Sequence, residues 1–316
     1  MRARGGSGGV LLLLLALGLA GCGGPSTGPA ASASSSTRSS PPLSSSSTRT
    51  PAPRDEQVVT DGPVTVVRAG AGTSTDPERA RAVARQARQA VTAVERSWPG
   101  RWPRRLVVVL PTDDAQAARE LRRPVAGLTG LAAVTDGPLP ASGPAPVDRV
   151  VLVPSTFTAL TPSGQVMVLA HEAQHVALRA GRDHRVPMWL SEGIADRTGY
   201  ATTGLRPSQI TTTLRAQVRA GGVPAGLPTD GDFTAGGTGT ESAYEQAWVA
   251  IRVLEAQVGA RGLLRLHDDI ARRTAAGVPD AAATDEALRQ VTGSGLAELT
   301  RRWQAQMQAL ARASDP

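Results

Sequence analysis

The sequence predicts an α+β fold: a small mixed β-sheet with packed helices, followed by an all-helical C-terminal part. Three observations carry that expectation. Short apolar, β-branched runs occur at Val64–Arg68, Leu106–Leu110 and 149–153, the second and third each closed by a proline. Stretches with apolar residues at helical spacing lie between them. Beyond about residue 204 the strand-like runs stop, and every apolar stretch that follows has the helical period, in segments 207–220, 241–259, 261–273, 284–291 and 295–313.

The 316 residues are 41% hydrophobic, enough for a core, although aromatic residues make up only 3%. The net charge is +7, and every basic residue other than His is Arg. No basic run interleaved with aromatics is present, so nucleic acid is not expected as a partner.

The chain opens as an address. Arg2 and Arg4 precede an apolar stretch at 10–20, too short to cross a bilayer comfortably, and it ends in Leu19-Ala20-Gly21-Cys22. This resembles the lipobox of bacterial lipoproteins, which implies a signal peptide at 1–21 and a lipid on Cys22. An ordinary secretory peptide with an incidental Cys is the alternative. Cys22 is the only cysteine, so neither an internal disulfide nor a Cys-based zinc site can staple the fold. Residues 22–56 are rich in Ser, Pro, Gly, Thr and Ala, a composition that cannot bury enough apolar surface to offset ordering entropy, and they are expected to form a tether.

The expected sheet subdomain with the motif helices covers 57–204, and the helical one 205–316. In the first, Asp76-Pro77 opens a helix that Trp98-Pro99-Gly100 stops, and a second helix covers 113–122. A weaker strand is expected at 130–134. A Pro/Gly/Ala/Ser loop at 137–146 follows, and the strand at 149–153 leads into a helix that starts at Thr161-Pro162 and ends near Gly181.

That helix contains His171-Glu172-Ala173-Gln174-His175. At i and i+4 the two histidines lie on one helix face, close enough to share a metal ion. Glu172 is rotated by about 100° from that face, beside a shared ion and suited to taking a proton from metal-bound water. Two hydrogen-bonded core histidines would give the same string. The segment Pro187-Met188-Trp189-Leu190-Ser191-Glu192-Gly193-Ile194-Ala195-Asp196 opens another helix, and Glu192 follows His175 by 17 positions. A short loop and a returning helix can bring it back as a third ligand, leaving a fourth position for water. Asp196, one turn after Glu192, can accept the free ring N–H of a ligand histidine, or stand as a solvated helix carboxylate.

H-E-x-x-H followed by W-L-S-E-G-x-A-D resembles the gluzincin zinc metallopeptidases, and most nearly their compact bacterial peptidase-MA-like domains. The resemblance covers about 64–200 and implies a thermolysin-like arrangement. It implies Zn2+ on His171, His175 and Glu192, Glu172 as the residue that activates water, and Asp196 as the residue that orients a ligand histidine. It also implies a substrate cleft between the sheet and helical parts, with the edge strand, here 130–134, holding extended substrate by backbone pairing. Similar domains carry a Tyr near Tyr244, which makes Tyr244 the catalytic residue expected to help stabilise the oxyanion, with Tyr200 the other choice. His184 does not fit a metzincin third ligand, because Leu178 stands where that pattern has Gly. His267 is expected at a helix surface or half-buried.

The function expected is a zinc-dependent metallopeptidase, lipid-anchored at the extracytoplasmic face of the cell membrane, acting as a monomer on a peptide or protein substrate. The competing readings are a zinc-fold envelope lipoprotein without turnover, serving as a binding or scaffold module, and a hydrolase acting on something other than peptides.

Overall fold

The computed structural model describes residues 58–68, 77–137, 148–180, 186–234 and 237–313. Cys22, the segments on either side of it and His184 lie outside the described residues. The chain is mixed α and β, as the runs of apolar residues predict.

Strands β1 (Val58–Asp61) and β2 (Val64–Arg68) form an antiparallel hairpin, and helix α1 (Pro77–Ser97) follows. Next come β3 (Leu106–Leu110), α2 (Asp114–Leu121), β4 (Ala133–Asp136), β5 (Arg149–Leu152) and a single helical turn, α3 (Pro154–Phe157). The sheet order is β1-β2-β3-β5-β4; β2, β3 and β5 run parallel, and the two edge strands are antiparallel to their neighbours. Both faces are covered. Val64, Val66, Val108, Val150 and Leu152 belong to the main core, whereas Val109, Val134, Val151 and Val153 pack with α2 residues Ala117, Ala118 and Leu121 on the other side. This two-sided burial is why the central strands read as continuous apolar runs.

The motif helix α4 (Pro162–Arg179) is capped by Thr161, whose hydroxyl accepts from the Gly164 N–H. It packs on α1, whose buried face is Ala80, Val83, Ala84, Ala87, Ala90, Val91 and Val94, mostly small side chains. Those small side chains let the two helices lie close. From Met167 to Leu178 every residue of α4 is buried. Helix α5 (Met188–Tyr200) returns along α4.

The C-terminal part is helical throughout: α6 (Pro207–Ile210), α7 (Thr212–Arg219), α8 (Gly237–Ala275), α9 (Asp280–Thr292) and α10 (Leu296–Arg312). Within α8 the helix breaks at Gly259, whose φ of 64° and ψ of 178° suit glycine alone. The expected pair of helices on either side of 260 is this one broken element. No helix among the described residues is long and apolar enough to cross a membrane.

Four expectations need correction. The weak strand sits at Ala133–Asp136, about three residues later than expected, because Gly130, with φ of 78°, still belongs to the preceding turn. β1 was not expected at all; it is four residues long, with Val58 55% exposed, so its apolar pattern is faint. The helix expected at 207–220 breaks into α6 and α7 at Thr211. His267 is buried, not superficial, and stands edge-on to Trp98 at 6.1 Å.

Candidate metal and catalytic site

Helices α4 and α5 bring three side chains together. The Nε2 atoms of His171 and His175 lie 2.9 Å apart. Glu192 Oε2 is 3.4 Å from the first and 3.6 Å from the second. One ligand atom from each residue falls within a common 4.8 Å, and none of the three residues is more than 3% exposed. A His-His-Glu group of this kind fits a zinc site.

The helical period explains the placement. His171 and His175 are one turn apart on α4, and α5 runs back alongside, so Glu192 faces them and Asp196 reaches the nearer ring. Asp196 Oδ1 lies 2.9 Å from His171 Nδ1 and accepts its hydrogen, so Nε2 is the nitrogen turned toward Glu192. Gln174 and Thr198 hold the same pair of helices in register: the Thr198 hydroxyl donates to Gln174 Oε1 at 2.9 Å and lies 3.1 Å from the Ser97 hydroxyl on α1.

Glu172 stands beside the ligand group. Its Oε2 accepts a 2.6 Å hydrogen bond from Thr135 Oγ1, while its Oε1 is buried with no hydrogen-bond partner. Thr135 is a residue the sequence did not point to. Strand alternation places it on the same face as Ala133, turned toward α4 and 2% exposed. The signal was present as a hydroxyl residue in the apolar phase of an edge strand, but with the strand expected at 130–134 that phase could not be read. β4 is the edge strand next to β5, and it packs against α4.

Charge is concentrated here. Burial works against a charge on His171, yet the carboxylates of Asp196 and Glu192 beside it prevail and raise its pKa to about 10. Burial holds His175 below its ordinary value. Burial would raise Glu192, but the two imidazoles bring it below the usual carboxylate range. Asp196 is raised, chiefly by burial. Neither Glu192 oxygen has a hydrogen-bond partner, and neither has Glu172 Oε1. Unpaired buried oxygens of this sort are costly unless a cation meets them.

Tyr244, on α8, is buried with its ring edge-on to Phe233 at 5.1 Å. Its hydroxyl has no hydrogen-bond partner, and its pKa is raised well above the ordinary value by burial, then by the charges of Glu192, Asp196 and Glu172. Tyr200, at the end of α5, instead lies edge-on to Trp248 at 6.2 Å. Helices α5 and α8 meet closely at Gly193, where an added Cβ would come within 2.5 Å of the Ala247 carbonyl oxygen.

No family model matches this chain. No curated protein matches it either. Among solved structures, it is similar to a mutant M1 zinc metallopeptidase from Deinococcus radiodurans bound to a Tyr-Ser-Ala substrate. The identity is 16% and the TM-score 0.37, over 84% of this chain and 53% of the other. The chain thus spans about half the length of that solved chain.

Proposed function

We propose that the protein is a zinc-dependent metallopeptidase of gluzincin type, carried on a lipid anchor at Cys22 at the extracytoplasmic face of the cell membrane. The observation that supports it most is the convergence of His171, His175 and Glu192, buried on two helices, with Glu172 alongside and one oxygen of that carboxylate free. Two imidazoles and one carboxylate are a catalytic zinc donor set, because they leave a coordination position open. The unpaired Glu192 oxygens are the internal sign that the group suits a cation.

His171, His175 and Glu192 would hold the ion, and Asp196 keeps His171 in the tautomer that presents Nε2. When bound, zinc supplies Lewis acidity toward water and the substrate carbonyl. Glu172 accepts the proton of the attacking water through its free oxygen and delivers it to the departing amine. Thr135 fixes the other oxygen, so the carboxylate does not rotate between these two duties. Tyr244 offers a buried O–H, held protonated by its surroundings, to the oxyanion that forms on the substrate. β4 offers an edge for an extended peptide to pair with. The segment 22–56 serves as the tether between the anchor and the folded part.

Replacement of Glu172 by Gln tests this reading. Cleavage of a peptide library should fall by at least about 100-fold, the usual contribution of general acid–base catalysis, while zinc stoichiometry by elemental analysis stays at the wild-type value. Equal activity in wild type and variant, or no cleavage by either, rejects the peptidase.

A further inference from the structure

A cavity of about 180 Å³ lies one helical turn beyond the metal group, and none of His171, Glu172, His175 or Glu192 lines it. Its volume is far above the roughly 10–15 Å³ needed by one water, and enough for a side chain. Its position follows from the helices that frame it. Met167 lies one turn before His171 on α4, and Tyr200 one turn after Asp196 on α5; both line it, with Ile210 and Tyr244. Tyr244 connects the two places. Its ring is part of the cavity wall, and its buried, unpartnered hydroxyl is within electrostatic reach of Glu172 and Glu192.

The rest of the wall has a sign. Glu241 and Glu245 lie one turn apart on α8, and both line the cavity. Among the described lining residues there is no Arg or His, and neither carboxylate has an ion-pair partner among the described residues. Glu245 accepts from the backbone N–H groups of Thr213 and Leu214 at the start of α7, so it is held in place. Glu241 has only a long contact, 3.5 Å, from the Thr213 hydroxyl. Met167, Ile210 and two tyrosines in one wall with two carboxylates match a long aliphatic side chain that ends in a positive group.

We propose that this cavity is the specificity pocket of the enzyme and takes an Arg or Lys side chain of the substrate, its stem against Met167 and the tyrosine rings and its charge against Glu241, with Glu245 as a neighbouring acceptor. This rests on the peptidase reading above. Because Glu245 also caps α7, Glu241 is the residue to vary.

The test uses N-acetylated, alanine-rich hexapeptide amides with a single Arg walked through the positions, each paired with its citrulline counterpart, which has the same shape and no charge. Wild-type zinc-loaded protein should cleave the Arg peptide about fivefold better than its partner at one position, a scale set by one partly exposed ion pair. That ratio should fall toward one in Glu241→Gln and invert in Glu241→Arg. A second arm measures binding by fluorescence anisotropy, with labelled Arg and citrulline peptides titrated into the zinc-loaded Glu172→Gln protein and into the Glu172→Gln, Glu241→Gln double variant. Cleavage without preference for Arg overturns the pocket and leaves the peptidase standing. A preference seen only with a free amino terminus assigns the carboxylates to a terminal ammonium and overturns the side-chain pocket. No cleavage, with Arg-selective binding that needs Glu241, rejects the peptidase and keeps a cation-binding pocket. Neither cleavage nor selective binding rejects both.

Discussion

The two oxygens of Glu172 stand in different surroundings, one held by Thr135 at 2.6 Å and one free. A hydrogen bond to a charged group contributes roughly 1.5–3 kcal/mol. If Thr135 positions the base, Thr135→Val should lower kcat about tenfold, with KM and zinc content little changed, and Thr135→Ser should recover most of it. A Thr135→Val protein with wild-type kcat would reduce that hydroxyl to packing. If Asp196 orients His171 toward a metal, Asp196→Asn should weaken zinc affinity by about 10–100-fold, read by competition with a chromogenic chelator. How legible these residues were depends on distance along the chain. His171, His175 and Glu172 share one helical turn, and local periodicity alone sets them. Glu192 and Asp196 share the next helix, and its approach was inferable from a short connection. Thr135 comes from a strand 37 positions before Glu172. Its partner was set by where β4 begins, which weak β-propensity and a glycine turn left ambiguous.

Elements fail where contacts between them are closest. Gly193 follows Glu192, and an added Cβ would meet Ala247 O at 2.5 Å and Ile251 Cγ1 at 2.6 Å. Gly193→Ala should therefore destabilise the protein by about 1–3 kcal/mol in urea unfolding, and weaken zinc binding by moving Glu192. A variant as stable as wild type would mean that α5 and α8 are free to part. The capping of α7 by Glu245 predicts a pH effect. Burial outweighs the N–H donors of Leu214 and Thr213 and raises its pKa from 4.5 to about 7. The folded chain thus holds this proton more tightly than the unfolded one. Its contribution is full below about pH 4.5 and is lost as pH rises through about 7. Thermal scans should show the wild type losing stability relative to Glu245→Gln across that window, and parallel curves would contradict the assignment. At this scale the strong strands and long helices were legible because burial on both faces, or an amphipathic stripe, writes itself into the sequence. β1, the split at Thr211 and the burial of His267 were not, since each depends on a neighbour remote in the chain.

For the molecule as a whole, the sheet and helical parts meet through α5 and α8, and the ligand group joins α5 to α4. A ligand that binds only the folded state stabilises it by mass action, about 4 kcal/mol when free zinc is 1,000 times its Kd. Removing metal should lower the melting temperature of the entire cooperative transition, and restoring zinc should reverse the change; an unchanged transition would separate the site from global stability.

His171 and Glu192 are 0% exposed and His175 only 3%. The three side chains that would hold an ion are themselves shielded from solvent, so a chelator has to wait for them to release it. Its escape then depends on breathing of the surrounding helices, and loss of activity in excess EDTA should follow a slow, steeply temperature-dependent course whose rate stops rising with chelator concentration.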